Sequence, residues 1–222
     1  MPVQTTDEKE NASILGVIPR YAALPLLVVV AWNMTVYFGN RIFSTGLHHY
    51  DFTTALDNRI PFVPWTVIIY LGCYLFWVVN YILSCRDGRD KTLRFTSADV
   101  IGKTVCLLFY ILLPTTNIRP EVTGSDIFSS MMVWLYSTDA ADNLLPSIHC
   151  LVSWLCFIGV KNSDNVPGWW KKASFIIAVA ICISTLTTKQ HVMVDVVSGI
   201  LLAEICYAVA GKFPILSKLP RI

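Results

Sequence analysis

Charge is what this chain has least of. Only 14% of its 222 residues are Asp, Glu, Lys or Arg, while 55% are hydrophobic and the mean hydropathy is +0.57. A soluble domain carries about 25% charged residues. Folded in water, such a chain would leave wide apolar surfaces exposed, so a bilayer is its natural solvent. The net charge is only +2. The one concentrated run, residues 86–94, is short, mixed in sign and free of interleaved aromatics, which argues against a nucleic-acid partner. The seven cysteines show no zinc-type spacing and lie mostly inside apolar segments, as small packing residues do. There is no carboxylate cluster suited to magnesium, so neither a metal nor another cofactor is expected. Internal repeats and low-complexity tracts are also missing.

Long apolar runs, by contrast, are plentiful. Six segments read as candidate spans: 21–39, 64–84, 99–116, 146–161, 173–188 and 190–211. A span needs about 20 mostly apolar residues, and the first, second and sixth meet this best. The pattern predicts an all-α, integral-membrane six-helix bundle over 21–212, with short cytoplasmic tails at 1–20 and 213–222. The first segment runs long and no small-residue cleavage pattern follows it, so it is expected to be retained rather than removed as a signal peptide. With six spans the termini share a side. Of the 17 Lys and Arg residues, only Arg41, Arg59, Arg119 and Lys189 fall on the other side. That bias places both termini in the cytoplasm, with the plasma membrane as the expected site. The loop carrying Arg119, the start of the fourth span and the link before His191 then all face outward.

Histidine is scarce, at four residues, and two of the four stand at the edges of apolar segments. In Asp142-Asn143-Leu144-Leu145-Pro146-Ser147-Ile148-His149 the first two residues suit a turn. Pro146 suits the first turn of a helix, where its missing N–H is harmless. Ser147 and His149 then lie where free N–H groups and the positive dipole end favour an anion. Ser147 also serves as an ordinary helix cap, and His149 as an interfacial side chain. In the second block His191 and Asp195 are four apart. On a helix they share a face, and the carboxylate holds one imidazole nitrogen protonated and aims the other outward as a nucleophile. Arg119, at the end of the third span, carries a guanidinium fork that matches phosphate oxygens, or else anchors a helix end. Lys189 either adds charge at the same mouth or snorkels to headgroups.

The order Arg119-Pro120, then Pro146-Ser147-x-His149, then Ser184-x6-His191-x3-Asp195 resembles the phosphatidic acid phosphatase type 2 superfamily, closely over the third to sixth segments and by hydropathy alone over the first two. The resemblance implies a six-span, metal-independent enzyme acting on a lipid-linked phosphate at the extracytoplasmic face. It implies catalytic roles for three residues: His191 as nucleophile, Asp195 as its orienting carboxylate and His149 as proton donor. Arg119 and Ser147 would bind the phosphate, with Lys189 as a further candidate. Three positions depart from the family pattern. Leu112 stands where a lysine is usual, Ile148 replaces a glycine, and Thr185 replaces an arginine. Fewer cations suit a phosphodiester, with one negative charge, better than a monoester with nearly two. Similarity to the inositol phosphorylceramide and sphingomyelin synthases therefore makes headgroup transfer to an alcohol the alternative to hydrolysis. A proton-relay transporter and an inactive scaffold are lesser alternatives.

Two further expectations concern structure. Glu204 and Lys103 are expected to pair near the cytoplasmic end, since either alone in hydrocarbon is costly. Residues 121–141 are expected to form a short interfacial helix, and His48 and His49 to be surface residues.

Overall fold

A computed structural model describes residues 13–14, 16–44 and 46–220. Most of the expected N-terminal tail, with Lys9, lies outside the described residues, as do Arg221, Ile222 and the side chain of Arg41. Eight α-helices carry the described chain. They are α1 (Arg20–Ser44), α2 (Ala55–Arg59), α3 (Val67–Ser84), α4 (Arg89–Leu112), α5 (Ile127–Thr138), α6 (Ile148–Lys161), α7 (Gly168–Thr187) and α8 (Met193–Lys212). Two-residue strands β1 (Ser13–Ile14) and β2 (Ile18–Pro19) pair antiparallel, and β3 (Tyr50–Asp51) pairs parallel with β4 (Thr115–Thr116).

Five helical segments are long and apolar enough to cross a membrane: Arg20–Asn40, Pro64–Ser84, Arg89–Leu112, Gly168–Thr187 and Met193–Lys212. The protein is nearly all-α and has the make-up of an integral membrane protein. Large apolar side chains such as Leu27, Leu75, Ile176 and Leu201 face outward from these helices, as expected where lipid is the solvent.

The fourth expected span differs from the others. Helix α6 has 14 residues, about 21 Å at 1.5 Å per residue, well short of a hydrocarbon core of roughly 30 Å. It is buried around most of its circumference and packs on α3, α4, α7 and α8. An apolar helix with no polar face belongs inside a protein, and α6 is the central pillar of this one. Its first turn lies against α8 at Gly199. A Cβ there would stand 2.6 Å from the Ser147 carbonyl oxygen, so only glycine permits the approach.

Several boundaries moved from the sequence expectation. The 86–94 run is not all loop, because α4 starts at Arg89 behind Gly88, whose φ of 101° favours glycine. Arg89 donates to the Leu219 carbonyl at 2.8 Å, and Arg94 lies over the Tyr207 ring at 4.0 Å. Those charges are thus absorbed by the C-terminal segment. The expected Lys103–Glu204 pair does not form. Lys103 Nζ meets Asp99 Oδ2 at 2.9 Å, both buried, while Glu204 is exposed and accepts from Trp154 Nε1 at 2.8 Å. An aspartate one turn away on the same helix is reached more easily than a glutamate on another. The seven cysteines are all unpaired and buried.

Candidate active site

One end of the helical body gathers the ends of α4 and α7, the starts of α6 and α8, and the connecting segments 46–63, with α2, and 113–147, with α5. There the chain needs abrupt turns. Asn143 and Lys189, both non-glycine, adopt φ of 55°. After α7 the backbone N–H groups of Gln190 and His191 both donate to the Thr185 carbonyl, at 3.0 and 3.1 Å. Residues 190 and 191 are therefore set by the backbone before any side chain acts.

His191 precedes α8 rather than lying on it, so it and Asp195 do not share a continuous helical face as expected. Asp195 is in the first turn of α8 and reaches back. Its Oδ2 accepts from the Val192 N–H at 3.0 Å and lies 3.2 Å from His191 Nδ1. Capping its own helix is what pulls 191 and 192 out of helical conformation. A carboxylate only accepts, so Nδ1 carries the proton and Nε2 holds the lone pair. Burial alone would lower the imidazole pKa, but the hydrogen bond and charge of Asp195 outweigh it and hold His191 above the ordinary value near 6.5.

His149 is brought to the same place by α6. The two imidazole centroids are 6.0 Å apart. His149 is surrounded by rings rather than carboxylates: Tyr70 stacks on it at 4.5 Å, and Trp77 and Tyr74 lie at 5.5 and 6.3 Å. Its Nε2 is buried without a hydrogen-bond partner. Both histidines line a cavity of about 130 Å³ shared with Asn33, Asn40, Asp142, Gln190 and the phenol of Tyr110. His191 also borders a more open cavity of about 740 Å³ on its other side, lined by Asp51, Thr53, Asp57, Asn117, Lys189 and Ile118 among others.

The remaining predicted residues occupy less direct positions. Ser147 is the N-cap of α6: its hydroxyl accepts from the Cys150 N–H at 3.3 Å, and its own N–H donates to the Asp195 carbonyl at 3.1 Å. It ties α6 to α8 and does not line either cavity. Arg119 does not line them either. Its guanidinium donates to the carbonyls of Asp139 and Ala140 and to Gln190 Oε1, and lies 4.8 Å above the Tyr136 ring. Lys189 points away from His149, giving Nζ hydrogen bonds of 2.9 and 2.6 Å to the carbonyls of Asp57 and Ile60. Where the family pattern would place further cations, Leu112 is 78% exposed and Thr185 is buried with its hydroxyl donating to the Cys182 carbonyl.

Asp57, Gln190 and the aromatic wall around His149 were not anticipated. For Asp57 a signal existed: Thr54-x-x-Asp57 is a capping-box spacing, and the box is present. The aromatic wall had none, because Tyr70 and Trp77 reach His149 only through the packing of α3 on α6.

Helix α5 forms where a short interfacial helix was expected, capped by Asp126 accepting from the N–H groups of Phe128 and Ser129. Met132 and Leu135 bury it against Val67 and Tyr70, and the Tyr136 hydroxyl donates to the Thr188 carbonyl at 2.8 Å. It closes one side of the site. His48 is exposed beside Tyr50, and His49 Nδ1 lies 3.0 Å from the Leu47 carbonyl oxygen.

Comparison with protein-family models, with curated proteins and with solved structures returned no match.

Proposed function

We propose that this protein is a membrane enzyme that hydrolyses a lipid-linked phosphate through a phosphohistidine on His191. The observation that carries the reading is asymmetric: two imidazole centroids lie 6.0 Å apart, and a carboxylate stands behind His191 while aromatic rings stand around His149. One ring is thereby prepared as a nucleophile and the other as a proton carrier. A phosphorus atom held about 3–3.5 Å from the attacking nitrogen fits between them.

In the first step the Nε2 lone pair of His191 bonds to phosphorus, the bond to the leaving oxygen breaks, and His149 gives that oxygen a proton. Asp195 stabilises the cationic ring that results. In the second step water attacks the phosphohistidine, yields a proton to His149, and phosphate leaves with His191 restored. Donors held ready around the transferring group supply the main stabilisation in such reactions. In this reading α6 is the fourth of six segments of the membrane domain. Both termini are cytoplasmic and the site opens extracytoplasmically, in accord with the distribution of Lys and Arg.

A second reading, transfer to an alcohol, has its own observation. His191 stands between two cavities, and the larger has room for an acceptor beside the first. The smaller is lined by no lysine or arginine among the described residues, which suits a singly charged diester.

Protein in detergent offered phosphatidic acid, a prenyl diphosphate and a phosphodiester lipid separates the two. Free phosphate release supports hydrolysis; exchange of headgroup without free phosphate supports transfer. His191→Ala abolishes both on this reading, and a variant that folds and turns over within a few-fold of wild type removes His191 from its role.

A further inference from the structure

Gln190 is 98% buried and lines the cavity between the histidines (2% exposed). Its amide has two different ends. Oε1 accepts from an Arg119 terminal nitrogen at 2.6 Å, whereas Nε2 is a buried donor with no partner. Which end is which is settled by chemistry. A guanidinium only donates, so the oxygen must face Arg119 and the NH₂ must take the opposite side. Arg119 itself cannot turn, because the Asp139 and Ala140 carbonyls and the Tyr136 ring hold it. The backbone of Gln190 is equally constrained by its hydrogen bond to Thr185.

An unsatisfied buried N–H is costly, and native structures hold few of them. Here the orphan donor belongs to the residue next to His191, and a second buried nitrogen without a partner, Nε2, belongs to His149, which lines the same cavity. The Gln190 NH₂ lacks an acceptor, and so does the His149 nitrogen in the protonated state that a proton donor requires. A phosphoryl group offers only acceptor oxygens.

We propose that Gln190 Nε2 donates a hydrogen bond to a non-bridging oxygen of the transferring phosphoryl group, and that Arg119 is a positioning residue that acts through Gln190. This rests on the phosphoryl-transfer reading above and names the donor that Ser147, Arg119 and Lys189 do not supply in this structure. Electrostatically, the charge of Arg119 polarises the amide while the neutral NH₂ makes the contact. A neutral donor makes this contact in a cavity lined by Asp139 and Asp142 and, among the described residues, by no lysine or arginine.

The test uses full-length protein in detergent, with lipid phosphate turnover and orthovanadate inhibition as readouts. Gln190→Glu keeps the shape and the Arg119 contact but removes the donor. Its monodisperse elution and melting temperature serve as the folding check, with Gln190→Met as the uncharged second variant. The expected result is a loss of roughly tenfold to a hundredfold in both kcat/KM and vanadate affinity. Arg119→Met alone should cost about as much, and adding it to Gln190→Met should cost little more, since one acts through the other. A structural role for Arg119 predicts additive losses instead, and that outcome overturns the relay. Wild-type turnover that vanadate inhibits, with folded Gln190 variants within twofold of it, overturns this assignment and leaves the phosphoryl-transfer reading standing. Wild-type protein that neither turns over lipid phosphates nor binds vanadate overturns both.

Discussion

The Asp57 carboxylate accepts a hydrogen bond from the backbone N–H of Met193 at 2.7 Å, joining the loop before α3 to the first residue of α8, two positions beyond His191. The same carboxylate closes the capping box of α2 with Thr54, and Lys189 Nζ ties the Asp57 and Ile60 carbonyls to the turn on the other side of His191. The turn that carries His191 is thus held at both ends by one loop.

Asp57→Ala removes both caps. The expected loss is about 1–2 kcal/mol of stability, with turnover falling further than the melting temperature alone explains, because the His191 turn is loosened. Asp57→Asn, which keeps an acceptor, should be milder. Thermal melts in detergent beside turnover check this; an alanine variant that melts and turns over like wild type removes the loop from the site.

Asp195→Asn keeps a side chain of the same shape but takes the charge from behind His191. Turnover should fall roughly 10²- to 10⁴-fold, the scale seen when a carboxylate that orients a catalytic histidine becomes an amide. The loss belongs in kcat, since the substrate phosphate does not touch Asp195.

A nucleophilic imidazole must be unprotonated, and His191 is held above the ordinary value near 6.5. The acid limb of kcat/KM should therefore lie above that value. In Asp195→Asn the limb should move toward lower pH, as burial then acts alone. The sign for stability is opposite: the charged His191–Asp195 pair contributes fully below the ordinary imidazole pKa, and the contribution is lost as pH rises through the raised one. Rate–pH profiles of the two proteins decide; a limb that stays in place dissociates Asp195 from the titration.

Lys103→Met takes from buried Asp99 its cation, leaving the Tyr81 hydroxyl at 2.5 Å as its partner. Breaking a buried pair on one side costs about 3–5 kcal/mol, whereas replacing both partners with apolar residues is often neutral. The double variant Asp99→Leu/Lys103→Met should thus be more stable than Lys103→Met alone. Glu204→Gln should leave the melting temperature within about 1 °C, since the amide oxygen still accepts from Trp154 and a conservative exposed change costs little.

Gly199→Ala places a methyl group 2.6 Å from the Ser147 carbonyl oxygen, a backbone atom that cannot swing away. Overpacking of this kind costs about 1–3 kcal/mol. It should also part α6 from α8 and with them His149 from His191, so turnover should drop beyond the stability loss.

The α-helical class and the position of most apolar helices could be read from hydropathy, because lipid-facing surface must be apolar whatever the helices touch. Spacing also drew attention to His191 and Asp195, although their contact is made by a cap rather than a helical face. The Lys103 partner was within reach as well: Asp99 lies four residues away, and the longer-range Glu204 was a weaker choice on distance alone. What hydropathy hid was α6. An apolar run reads the same whether it faces lipid or protein, and only the packing of four helices around these 14 residues shows it to be interior.

By itself, then, the sequence determined the solvent, the helical class and the residue types at hand: two histidines, an aspartate, an arginine. Tertiary structure alone decided that His149 and His191 meet at 6.0 Å and that the Arg119 guanidinium hydrogen-bonds Gln190. It also decided that Asp57, 134 residues before His191 in the chain (191 − 57), holds the turn on which that histidine sits. The physical reason is range. Hydropathy and helical periodicity act over a few residues, whereas these contacts join groups 42 to 136 positions apart (His149 to His191 and Asp57 to Met193), and only the closed packing of the helices brings them together.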